Sequence, residues 1–289
     1  MAAGRGAESL RHCRSALARA GAGAATITDA RLQLALSCLL HDAAGVEKQS
    51  MAQRAVALFR QAGDRAGLYC ALSRLAISAS LAGDRSIAEP AVDELAGLWN
   101  PAWRPLSRWE LLNARDFVAN LFGRLDEGEA IAHEELTLAT SEGDTFKTLF
   151  AMMALEQCAA TRRDYAQAVV RGRELVARAR RERYVEKLHV YVGNLTTALV
   201  MAGELDEALP VAREAAAMDT RHGSLWQMLD TFAMLAFKRN RVHEAAMVLG
   251  RADAANAWRG GDFREPVERD VRQDLLVGLN AELDVAALE

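Results

Sequence analysis

The sequence predicts an all-α fold built from stacked antiparallel helix pairs, and three observations carry that expectation. Apolar residues recur at helical spacing along nearly the whole chain. Small residues recur about every 40 positions, each shortly after a turn. The apolar/polar alternation of strands is missing, and the chain is 51% hydrophobic with only 5 prolines, a composition that suits a folded helical protein.

The stretch 184–219, YVEKLHVYVGNLTTALVMAGELDEALPVAREAAAMD, shows the unit most clearly. Val192, Leu195 and Leu199 form one apolar stripe. Gly203 ends that helix, because glycine tolerates positive φ. Asp206 and Glu207 open the next helix, where the dipole favours carboxylates, and Pro210 lies near that start. Ala208, Val211, Ala212 and Ala215 then form a stripe of small side chains that lets the two axes approach closely.

Ala208 anchors a column. Ala168, Gly128 and Ala88 precede it at intervals of 40, Ala245 follows by 37, and Ala52 precedes Ala88 by 36. The facing stripe recurs as Leu72/Leu75, Leu112, Met152/Leu155, Val192/Leu195 and Leu229/Phe232. Helix–turn–helix self-similarity at this period marks an α-solenoid, in which stacking supplies the core that no unit can bury alone. In order, the chain reads as a lone helix over 8–20 and then pairs at 29–62, 64–98, 106–141, 145–182, 184–221 and 224–258. Pro101 and Pro105 interrupt it after the second pair. Glycines at 260–261 break it again, and a helix over 265–280 caps the open end. The whole of 1–289 is expected to form a single solenoid domain.

These residues resemble the tetratricopeptide repeat family. Val192, Asn194, Leu195, Thr196, Leu199, Ala208, Ala212 and Ala215 match its pattern in the clearest unit. The bulky position is not Trp, Thr196 stands for Gly, Leu199 stands for Tyr, the repeat-ending proline is missing, and the period is nearer 40 than 34. The longer period and the tail AAMVLGRADAANAWRGG are similar to the divergent repeats in the C-terminal arms of bacterial ATPase regulators of the MalT and LuxR type. The resemblance implies a right-handed superhelix and a non-catalytic interaction scaffold: the sensor or partner-binding arm of a bacterial transcription or signalling regulator. A stand-alone adaptor, with homodimerisation through an open end, and an intracellular peptide receptor are the alternatives.

Composition narrows the classes. A net charge of −4 gives no general pull toward nucleic acid or anionic membrane. No apolar run reaches membrane-spanning length and no signal-peptide segment opens the chain. Cys13, Cys38, Cys70 and Cys158 lack ligand spacing and read as reduced, mostly buried residues of a cytoplasmic protein. The run His133-Glu134-Glu135 is not HExxH, and neither GxxxxGK[ST] nor GxSxG occurs, so neither metal, cofactor nor catalysis is expected.

Counting from the anchors places Ser73, Asn113, Phe117, Asn120, Met153, Gln157, Thr197, Met201, Asp230, Met234 and Phe237 on the inner face of the first helices. Amides mixed with Met and Phe suit a protein or peptide partner or a small effector. Trp99, Trp103 and Trp109 cluster at the proline break, either as a binding hot spot or as filling between two imperfect repeats. Asp116 and Glu156 occupy a column of small residues, where pairing with Arg115 or Arg162 is expected over facing the groove. The segment 162–187 carries nine Arg/Lys against four Asp/Glu. Interleaved Glu174, Glu182 and Glu186 favour a solvated outer helix over phosphate contact.

Overall fold

A computed structural model describes residues 8–9, 11–16, 18, 27–39, 45–258, 261 and 264–283. The stretch expected as a lone helix is helical at 8–9, 11–16 and 18; its other residues and residues 1–7 lie outside those described. Thirteen further helices follow. They are α1 (Ile27–Leu39), α2 (Gly45–Ala62), α3 (Arg65–Leu81), α4 (Arg85–Leu98), α5 (Pro105–Leu121), α6 (Leu125–Ser141), α7 (Thr145–Thr161), α8 (Tyr165–Arg181), α9 (Leu188–Ala202), α10 (Leu205–His222), α11 (Leu229–Lys238), α12 (Val242–Trp258) and α13 (Pro266–Glu282). A 3₁₀ turn, Leu225–Met228, leads into α11. No strand occurs among the described residues.

The chain forms two compact units, Met1–Asp144 with α1–α6 and Thr145–Glu289 with α7–α13. In each, short turns fold every helix back on its predecessor. First helices of successive pairs also touch each other: α1 with α3 and α3 with α5 in one unit, α7 with α9 and α9 with α11 in the other. First helices therefore make an inner row and second helices an outer one, the arrangement of an α-solenoid.

Two columns generate this. The small residues Ala52, Ala88, Ala168, Ala208 and Ala245 are fully buried where each second helix meets its partner. Gly128 fills the same place in α6 for a stronger reason. A Cβ there would lie 2.2 Å from Asn120 Oδ1 of α5, so a larger residue would have to displace the Asn120 side chain.

The second column sits in the turns. Gly63, Gly83, Gly123, Gly143, Arg163, Arg183, Gly203 and Gly223 all have positive φ, at intervals of 20 or 40 residues, and Asn240 continues the series. Each ends a helix in the left-handed region and reverses the chain. Asp64 and Asp164 follow directly and accept from the backbone N–H of Gly67 at 2.9 Å and of Gln167 at 3.1 Å, capping the next helix. The series skips the neighbourhood of Trp103. There Pro105 starts α5 at its first position instead.

The tryptophans pack where that turn is missing. Trp103 meets Tyr69 edge-on at 5.0 Å, Tyr69 Oη donates to the Ser107 carbonyl at 2.7 Å, and Trp109 is buried. Trp99 lies under the Arg108 guanidinium, 5.8 Å from its ring centre. Outer helices are tied pair to pair by exposed ion pairs, Arg60–Glu94 at 2.8 Å, Arg173–Glu207 at 2.6 Å and Arg180–Glu214 at 2.7 Å. Each contributes little energy, yet together they mark the register. The cysteines depart from expectation: Cys158 is buried, but Cys38 and Cys70 are exposed and Cys13 is half-buried. Cys70 projects from α3 away from the stripe that Leu72 and Leu75 bury.

Two outcomes check this frame. Ala208→Leu is expected to overpack the α9–α10 contact and cost about 1–3 kcal/mol in urea unfolding; an unchanged midpoint would contradict the column. Arg183→Gly removes a side chain from a left-handed turn and is expected to stabilise the fold by about 0.5–1 kcal/mol, seen as a raised melting temperature.

Candidate functional site

The inner row of the second unit gathers most of the residues singled out above. On α7, Met153 and Gln157 are half-exposed while Met152 and Leu155 turn into the core. On α9, Met201 is half-exposed, and Thr197 shares a hydrogen bond with Thr231 of α11 at 2.8 Å. Met234 and Asp230 of α11 are buried, and Phe237 is half-buried. Half of this face is thus open amide and thioether, and half is covered.

The cover is α13. Glu268 starts it by accepting from the Glu265 backbone N–H at 2.9 Å, with Pro266 at the first position. Val271, Leu275 and Leu279, spaced i, i+4, i+8, bury one stripe completely. That stripe packs on α11 and α12, and the helix also reaches α7. Gly278 lies against Phe237, where a Cβ would stand 2.4 Å from the ring. The helix expected to cap the open end lies on the last pair and also reaches α7.

Ion pairs fix its position. Arg264 is buried and clamps Asp230 with contacts of 2.7 and 3.1 Å, and a third bond of 2.6 Å reaches Asp253 on α12. Arg272 holds the same Asp253 at 2.8 and 2.9 Å. The arginine bonds bring the Asp253 carboxyl below its ordinary range. Burial raises Asp230, and Arg264 opposes that rise. Farther along, Asp274 pairs with Arg163, in the turn between α7 and α8. Lys238 feels Asp274 too, although burial lowers its pKa; its ammonium donates to the Met201 carbonyl at 3.0 Å.

Beneath this face sits Glu156 of α7, which is 1% exposed. Its partner is neither Arg115 nor Arg162 but Asn194 of α9, whose amide donates at 3.2 Å. An amide leaves the charge unneutralised, so burial pushes the carboxyl up to about 8.

In the first unit two of the named residues are buried and two are half-buried. Ser73 and Asn113 are buried. Phe117 packs on the core and Asn120 donates to Asp116 at 2.7 Å. Asp116 is therefore held by an amide, not by Arg115. Glu135 is buried nearby, and its carboxyl makes no hydrogen bond among the described residues. Burial first, then the neighbouring Asp116, raises its pKa. A depression of about 390 Å³ lies between α4, α5 and α6. Its Glu89, Glu127, Arg115 and Arg124 are paired among themselves.

The basic run over 162–187 is likewise largely engaged. Arg163, Arg173, Arg178 and Arg180 each face a carboxylate, and Arg171 donates to the Leu155 carbonyl at 2.6 Å. Among the described residues no cluster of three His, Cys, Asp or Glu side chains suits a metal, and no helix is long and apolar enough to cross a membrane.

With this geometry in view, the chain belongs by architecture with all-α solenoids of tetratricopeptide-like helix pairs. The sequence matches no protein-family model and no curated protein. A solved structure similar to it is a signal transduction ATPase with numerous domains from Pyrococcus horikoshii, described as carrying a tetratricopeptide repeat sensor. The TM-score is 0.60 at 13% identity, over 90% of this chain and 46% of that one. The likeness is one of fold, and this chain spans less than half of that protein's length.

Glu156 supplies a pH signature. With its folded pKa above the ordinary 4.5, the folded state holds the extra proton, so its cost is nil in acid and grows from about pH 4.5 to about pH 8. Glu156→Gln keeps the acceptor for Asn194 and removes the titration. The variant is expected to gain stability over the parent by on the order of 3 kcal/mol between pH 5 and pH 8. A constant difference across that range in chemical unfolding would show that Glu156 ionises freely.

Proposed function

We propose that the protein is a non-catalytic interaction module whose working surface is the inner face of the second unit, and that it serves as the sensor or partner-binding arm of a signalling or transcription regulator. One observation carries this reading. Gln157, Met153 and Met201 stand half-exposed along the inner row, where buried pairing has claimed the neighbouring polar groups. Methionine adapts its shape to varied apolar surfaces and a free amide bonds a peptide backbone, so the face suits a peptide or protein segment. The repeat sensor named in the Pyrococcus horikoshii protein supports the role of an arm that reads a partner. In such an arm, a partner shifts the balance between two arrangements by binding one better than the other.

The experiment is quantitative affinity capture from the native lysate. The full chain is compared with the double variant Met153→Ala/Gln157→Ala and with Arg60→Ala, which alters only an outer exposed ion pair. At least a tenfold loss of one captured protein in the double variant, with full capture by Arg60→Ala, is expected. Equal capture by all three would place the working surface elsewhere.

A further inference from the structure

We infer that the inner face of the second unit is a receptor for an amphipathic helix with an acidic flank, and that α13 is the chain's own occupant, a strap that must lift for a partner helix to enter. This rests on the reading of that face as the working surface.

The occupant defines the chemistry. α13 presents Val271, Leu275 and Leu279 on one stripe, all at most 1% exposed. It sets Asp274 against Arg163 at the α7–α8 turn, with Lys238 of α11 contributing a second positive charge to the same carboxylate. An incoming helix therefore needs aliphatic residues at i, i+4 and i+8 and a carboxylate at i+3 of the same stripe. That is the helix-in-groove mode of recognition.

The way α13 is held makes it the element that lifts. Its N-terminal end is fixed by the buried Arg264–Asp230 clamp, whose side chains are 5% and 4% exposed. Beyond that clamp it is held by one apolar stripe, by the close contact of Gly278 with Phe237, and by the solvent-accessible pairs Arg163–Asp274 and Arg272–Asp253, which water replaces readily. Val277, on the opposite side, is 62% exposed, so no second helix among the described residues holds α13 from behind. The helices α7, α9 and α11 are each backed by an outer partner. Opening thus pivots on Arg264 and frees Phe237, Arg163 and Lys238.

The test uses a fluorescent synthetic peptide copying residues 264–283 and the full chain. Leu275→Asp/Leu279→Asp dislodges the chain's own α13 without touching the receptor face. The peptide is expected to bind this variant at least tenfold more tightly than the parent, by fluorescence anisotropy, and to lose that binding when it carries the same two aspartates. Equal binding to parent and variant, or no binding to a variant that keeps its helical circular dichroism, overturns the proposal. Hydrogen exchange on the unmodified chain gives an independent reading. Amides of 270–280 are expected to exchange at least tenfold faster than those of α9 and α11, and equal protection would make α13 an integral core helix. Neither readout involves a native partner. A strap that lifts while the capture experiment finds nothing would sink the proposed function, and with it the partner helix, and leave α13 as a displaceable strap.

Discussion

The close approach of two helices at a buried alanine or glycine is the constraint from which the rest of the structure follows. At Ala52, Ala88, Gly128, Ala168, Ala208 and Ala245 the second helix of each pair presents almost no side chain, so the axes can close and the larger residues interlock on either side. The turn must then reverse the chain within a few residues, and the left-handed positions between Gly63 and Asn240 do that. Once pairs are fixed at this interval, first helices fall into an inner row, and any half-exposed residue on that row faces whatever enters the unit. The candidate site is a by-product of the repeat before it is a feature of particular side chains.

The frame was legible in the sequence because its causes are local and recur. A small residue after a turn and an apolar stripe ahead of it are visible without coordinates. The left-handed column was also present as glycines every 20 or 40 positions, but Arg163, Arg183 and Asn240 hid it, since only the backbone shows that those three adopt the same φ. The site was less legible. Asn113, Asp230 and Met234 have the right spacing for the inner face, yet depth is set by neighbours distant in sequence. Asp230 is covered because Arg264 reaches back to it across 34 residues. Gly278 beside Phe237 was the available signal that a helix lies flat there, and it becomes meaningful only once both positions are known to share a face.

The buried carboxyls mark where the repeat has been broken. Leu95, Glu135 and Leu175 occupy one column, and Ala76, Asp116, Glu156 and Thr196 another, each at intervals of 40 and each buried. A charged group in a leucine or alanine position costs stability unless it keeps a proton. Asn120 and Asn194 answer Asp116 and Glu156 with amides, which tolerate either protonation state but cancel no charge. The stack thereby acquires interior points that titrate near neutrality, a property its otherwise aliphatic core lacks. No guanidinium reaches Asp116, because Arg115 on the same helix points outward and pairs with Glu127 of α6.

Linear repeat arrays lose structure from their termini, because an end unit has one neighbour where an inner unit has two. In the second unit α13 touches both the last first-helix, α11, and the earliest one, α7. The inner row therefore has no terminal member while α13 is seated. Melting of any one pair must break contacts on two sides, and the unit should behave as a single cooperative block. With α13 displaced, the inner row loses the contact that joins α11 to α7. A single helix thus decides whether three repeats melt together or one at a time.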